Sequence, residues 1–99
     1  MTQITFECSG GMLSRRVGLM LDLENLPPRE SINLLRLIYH ADFFNLPANL
    51  VKRPEPEKIL YTITVDNGRD HHRVQVSENS APSALMPLVN ELSLRLDSP

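Results

Sequence analysis

Cysteine is nearly absent: Cys8 stands alone among 99 residues. One thiol excludes an internal disulfide and any zinc site built from several thiolates. Set in an alternating apolar segment, it reads as a small buried hydrophobe, and no neighbour in sequence would activate it as a nucleophile. An excess of either charge is missing too. Ten lysines and arginines against twelve acids leave a net charge of −2, mixed along the chain. The molecule as a whole therefore has no long-range attraction to nucleic acid or to an anionic membrane. No apolar run approaches the ~20 residues that span a bilayer. The opening MTQITFEC has neither the basic start nor the apolar core of a signal peptide. The expectation is one soluble domain, 1–99, kept in the reducing cytoplasm, without room for a separate catalytic lobe.

Catalytic signatures are also lacking. No serine sits in a Gly-x-Ser-x-Gly elbow, and Gly10-Gly11 is not followed by the Lys-Ser/Thr of a phosphate-binding loop. Glu7, Asp22, Glu24, Glu30, Asp66 and Asp70 are scattered, with nothing to mark an acid–base pair. The histidines are His40, His71 and His72. The last two are neighbours on a strand and point to opposite faces, so they do not chelate one ion together. His72 reads as partly buried and hydrogen-bonded, His71 as lying on the wetter side. The sequence points to no catalytic residue, no metal site and no cofactor, and away from an enzyme.

What is present is organised around Lys58–Ser77, KILYTITVDNGRDHHRVQVS. Apolar residues alternate at Ile59, Tyr61, Ile63 and Val65 and resume at Val74 and Val76. Asn67-Gly68 between them suits a two-residue type I′ turn. That turn sets a register in which Thr64 faces His71, Ile63 faces His72, Tyr61 faces Val74 and Ile59 faces Val76. A hairpin is not stable alone in water, so other elements must cover its apolar face.

The rest of the chain supplies them. Ile4, Phe6 and Cys8 alternate with Gln3, Thr5 and Glu7, which is a half-buried strand. After Ser9–Ser14 the alternation returns with Val17, Leu19 and Leu21, giving a second hairpin with a glycine-rich loop. Pro28 suits a first helical position, and Glu30 follows in the first turn. Residues 28–42 read as a helix whose apolar face is Ile32, Leu34, Leu35, Leu37, Ile38 and Ala41. Phe43 and Phe44 would plug the core beneath its end. Residues 47–57 are polar and proline-rich, an irregular surface connection. Leu85, Leu88, Val89, Leu92 and Leu96 form one stripe of a final helix, with Ser83 as its cap and Pro87 near its first turn. The fold class is α+β in the order β-β-α-β-β-α: a four-stranded, mostly antiparallel sheet with both helices on one face.

Two surfaces invite a partner. Arg15, Arg16, Arg69, His71 and Arg73 would make a phosphate-binding face for nucleic acid. Asp66, Asp70 and Glu7 interrupt that field, and stacking aromatics are missing from it. The alternative is protein recognition by Ser9–Ser14, where Met12 and Leu13 sit at the tip of a loop that Gly10 and Gly11 make pliable.

Several motifs together resemble the emfourin family, small protein inhibitors of protealysin-like M4 metalloproteases. They are F-E-x-S-G-G at 6–11, L-P-P at 26–28 and L-x-x-L-I-x-x-A-D-F-F-x-L-P from Leu34 to Pro47. Tyr61–Val65, Asp66-Asn67-Gly68-Arg69, H-x-V at 72–74, and Pro82 with Leu85-Met86-Pro87-Leu88 continue the pattern. The block Ala41–Pro47 is the most specific piece. The resemblance covers nearly the whole chain and departs in the last helix, where relatives often carry an aromatic and this chain has Leu92 and Leu94. It implies a non-catalytic, cytoplasmic bacterial protein that binds a thermolysin-like zinc protease one to one at its active-site cleft, is monomeric when free, and needs no cofactor. Such proteases favour a bulky apolar side chain just after the scissile bond. Met12 or Leu13 suits that pocket, Gly10 and Gly11 permit close backbone approach, and Arg15, Asn67 and Arg69 would form a polar rim. A regulatory module with a non-protease partner is the other reading.

Overall fold

The computed structural model describes residues 2–10, 17–51 and 58–97. Strands β1 (Gln3–Gly10) and β2 (Val17–Asp22) precede helix α1 (Pro28–His40). Strands β3 (Ile59–Asp66) and β4 (His71–Ser77) precede helix α2 (Met86–Asp97). The four strands form one sheet in the order β2-β1-β3-β4, and all three ladders are antiparallel. The two hairpins thus join through their first strands. The expected α+β order and class are those observed.

Cross-strand rows explain the layering. Leu19, Phe6, Ile63 and Val74 lie side by side, as do Val17, Cys8, Tyr61 and Val76, and Leu21, Ile4, Val65 and His72. These rows make one apolar face, and Leu34 and Ile38 of α1, Leu88, Val89 and Leu92 of α2, and Leu85 just before α2 complete the core with them. Phe6 stacks on Tyr61 at a 5.8 Å ring separation. Burial is the first cause, and Cys8 and Glu78 further ones, that raise the Tyr61 phenol above its usual range. Cys8 itself is buried. The opposite face carries Gln3, Thr5, Glu7, Thr64, His71 and Arg73, all exposed or half-buried, so one face is apolar and the other largely polar.

The β3–β4 register differs from the sequence expectation by two residues. Val74 pairs with Ile63 and Val76 with Tyr61, because the connection is Asn67–Asp70 rather than Asn67-Gly68. Gly68 has φ 89°, and Asn67 is not among the positive-φ residues, so a type I′ turn does not form. The side chains take over instead. The Asp66 carboxylate accepts from Gly68 N (2.8 Å), and the Asn67 amide oxygen accepts from Arg69 N (2.9 Å) and Asp70 N (2.7 Å). These bonds satisfy three loop amides and favour the wider turn. A slip of two preserves every face, which is why the core assignment survives it.

The helices also depart in detail. α1 ends at His40, two residues early. Of its expected apolar face, Leu34, Ile38 and Ala41 are buried and Leu37 is partly so, whereas Ile32 and Leu35 are exposed. Phe43 is buried but Phe44 only packs at the margin. Ser83 does not cap α2. A turn over 83–85 precedes it, and the Pro82 carbonyl accepts from Leu85 N and Met86 N. Pro87 is the second helical residue, where a missing N–H costs least. Leu92 is fully buried and Leu94 is exposed, so of the two only Leu92 reaches the core.

The two sheet edges are not alike. Gln75 in β4 donates to Ala48 O and accepts from Leu50 N, both at 2.8 Å, so the segment around Asn49 covers that edge. No described residue pairs with the outer edge of β2.

Candidate functional site

Strand β1 ends at Gly10, an exposed residue with φ 80°, paired with Ile59. A side chain disfavours that backbone conformation, so glycine suits the exit from the strand. The ladder beside it is firmly closed. Ile59 N donates to the Glu78 carboxylate (3.2 Å), and Ile59 O accepts from Glu78 N (2.9 Å). Ser77, Asn79 and Ser80 add hydroxyl bonds of 2.6–3.0 Å around the same corner. The expected contact residues Gly11, Met12, Leu13 and Arg15 lie outside the described residues, as does Arg16.

Asn67 and Arg69 are elsewhere. Gln3 at the start of β1 pairs with Asp66, while Gly10 at its end pairs with Ile59. Seven strand steps separate the two ends, about 23 Å at ~3.3 Å per residue. The structure therefore does not bring Asn67 and Arg69 to the glycine end, and they are not a rim to Gly10. Arg69 is exposed, and Asn67 is held by its own loop bonds.

The histidines separate as a strand requires. His71 is exposed, with Nδ1 3.6 Å from the Asp66 carboxylate. The Gly68 amide, and then His71, hold that carboxyl below its ordinary range. Nε2 of His72 lies 2.6 Å from the Leu46 carbonyl, and its ring meets Phe43 edge-on at 5.7 Å. Arg73 and His71 share the polar sheet face with Glu7 and Thr5. The basic residues there are interspersed with acids.

One surface was missed by sequence reasoning. Ile32, Leu35 and Tyr39 of α1 are 56%, 46% and 82% exposed. Beside them an open, mostly apolar groove of about 540 Å³ runs against Phe43 and Phe44, with Arg36 and Asp42 at its margins. Ser31 of α1 donates its hydroxyl to the Leu23 carbonyl just past β2, and Phe43 just past α1 reaches His72 in β4. α1 therefore crosses the sheet at the end bearing Asp66, not the end bearing Gly10. The sequence did hold a signal: the apolar positions of α1 wrap more than half the helix, wider than one core contact uses.

The family model Emfourin matches residues 6–93. The chain belongs to the emfourin family. Comparison with curated proteins gives no match. Among solved structures the chain is similar to one titled emfourin (M4in) from Serratia proteamaculans, an M4 family peptidase inhibitor. The identity is 16%, covering 88% of this chain and 84% of that one, with a TM-score of 0.48. Within this emfourin-family chain, the specific block Ala41–Pro47 has structural work at most positions. Ala41 and Phe43 are buried. Asp42 turns the chain at φ 52° and accepts from the Asn45 amide at 2.8 Å. Leu46 presents its carbonyl to His72.

Proposed function

We propose that the chain is a non-catalytic inhibitor of a thermolysin-like M4 zinc metallopeptidase that blocks the enzyme's active-site cleft. The family match over residues 6–93 carries this reading. The site we assign is the connection between β1 and β2, with Met12 or Leu13 entering an apolar specificity pocket. Gly10 and Gly11 allow the backbone to approach closely. The closed corner at Ile59 and Glu78 supports the reading, because a loop mounted on a rigid ladder loses less freedom on binding. Inhibition follows from excluding substrate and needs neither cofactor nor a reacting group on the inhibitor. Binding is one to one, by a chain that is monomeric when free and acts in the cytoplasm.

The test mixes the purified protein with protealysin-like and thermolysin-like enzymes and follows peptide hydrolysis. Hydrolysis should stop near stoichiometric inhibitor. Undiminished rates at excess inhibitor across several such enzymes overturn the reading. Met12→Asp with Leu13→Asp should weaken inhibition by roughly 100-fold or more, the size of losing a buried anchor, with the unfolding midpoint unchanged. Full inhibition by that variant would move the contact away from this loop. A salt-dependent shift of labelled DNA or RNA is the result that a nucleic-acid protein using Arg69, His71 and Arg73 would give instead.

A further inference from the structure

Helix α1 carries more apolar surface than the core takes up. Its core side runs through Leu34 and Ile38, both buried. At 3.6 residues per turn, Ile32, Leu35 and Tyr39 fall within an arc of about 60° on the adjoining side. They stay exposed and form one wall of the groove closed by Phe43 and Phe44. On the flank of this stripe away from the core stand Arg29 and Arg36. Seven residues apart, they lie about 10 Å from one another along the same side of the helix. Both are exposed, and neither guanidinium forms an ion pair with a described residue. Of the acids in α1 and just after it, Glu30 pairs with Arg95 at 2.7 Å, and Asp42 accepts from the Asn45 side-chain amide at 2.8 Å.

We propose that this face docks an amphipathic helix of a partner protein whose apolar ridge is edged by carboxylates. The ridge enters the groove beside Ile32, Leu35 and Tyr39, and the carboxylates meet Arg29 and Arg36. Arginine suits the role because its planar fork takes a carboxylate with two parallel hydrogen bonds. Charge selects this occupant over a second copy of the chain. Antiparallel self-pairing sets each arginine edge against the same edge of its mate, and like charges there oppose association. Parallel self-pairing offers the two guanidiniums of each edge only the single carboxylate of Asp42 at the groove margin, already bonded to the Asn45 amide. The proposal is independent of the inhibitor reading, because α1 crosses the sheet at the end opposite Gly10.

The test uses two synthetic helical peptides titrated into the full chain. They share one leucine ridge and differ only along its edge, glutamates in one and lysines in the other. The glutamate-edged peptide should bind at least about tenfold more tightly at low salt, with the preference shrinking as salt rises. Arg29→Glu with Arg36→Glu should reverse the preference, and Tyr39→Glu should weaken both peptides. Amide shifts should map to α1 and to 43–45. Equal affinities, no binding of either peptide, shifts located elsewhere, or dimerisation of the free chain through α1 would each overturn the proposal. The comparison of the two peptides on the unmodified chain stands even if a variant fails to fold.

Discussion

Asp42 holds φ 52° and ψ 46°, the left-handed region that costs an ordinary L residue roughly 1–2 kcal/mol. Its carboxylate offsets part of this by accepting from Asn45. Asp42→Ala should lower unfolding free energy by about 1–2 kcal/mol in urea titrations, and Asp42→Gly by less, since glycine adopts the conformation freely. Asp66 gives a pH signature. Its carboxyl titrates lower when folded than its ordinary value of 3.8, first because Gly68 N binds it and further because His71 is near. The stability it contributes is therefore fully present above that ordinary value and lost as pH falls through the depressed folded one. Asp66→Ala should flatten the acid limb of the stability curve below pH ~4 and leave its neutral-to-basic shape intact, as read by thermal unfolding across pH. At this scale the sequence was legible for burial and less so for turns. His72 was readable as a hydrogen-bonded, half-buried residue. The behaviour of Asp66 and Asn67 was not, because side-chain capture of loop amides competes with the Asn-Gly turn preference and only the folded loop decides between them.

The strands and helices were readable from their periods, and what escaped was how they meet. The register of β3 on β4 slipped by two while each residue kept its face, because alternation fixes faces and the turn alone fixes register. The width of the apolar arc on α1 showed in the sequence, but which part of it faces the core depends on where α2 and the Phe43 turn sit. Phe43 binds these parts together, buried between the end of α1 and His72. Phe43→Ala should cost about 3–5 kcal/mol, measured by chemical unfolding. Arg95 links the two helices through Glu30 at 2.7 Å, and its Nε lies 3.5 Å from Glu91 without forming an aligned hydrogen bond. Glu30 is more than a third exposed, so solvent screens the pair. A double-mutant cycle of Glu30→Gln with Arg95→Met should give a coupling below about 1 kcal/mol that diminishes with salt.

For the molecule as a whole, layer and topology followed from hydrophobic alternation, because each element has one apolar side that must be covered. The binding surface did not follow so readily. Contact residues nominated from the sequence were grouped by chemistry, and the fold placed Asn67 and Arg69 at the opposite end of β1 from Gly10. A chain of 99 residues thereby presents two separate ends, one that we propose meets an enzyme cleft and one carrying the arginine-edged helix. Its flank is exposed in another sense. β2 reads Val17-Gly18-Leu19-Met20-Leu21-Asp22, with no proline and a charge only at its last residue, and Met20 stands 66% exposed. Such a border is a template for the same strand of a neighbouring molecule. Concentrated preparations should therefore lengthen by joining sheets border to border, with thioflavin fluorescence rising after a lag. Met20→Lys should delay that growth, whereas the same change at Gln75, shielded behind Ala48 and Leu50, should leave the lag unaltered.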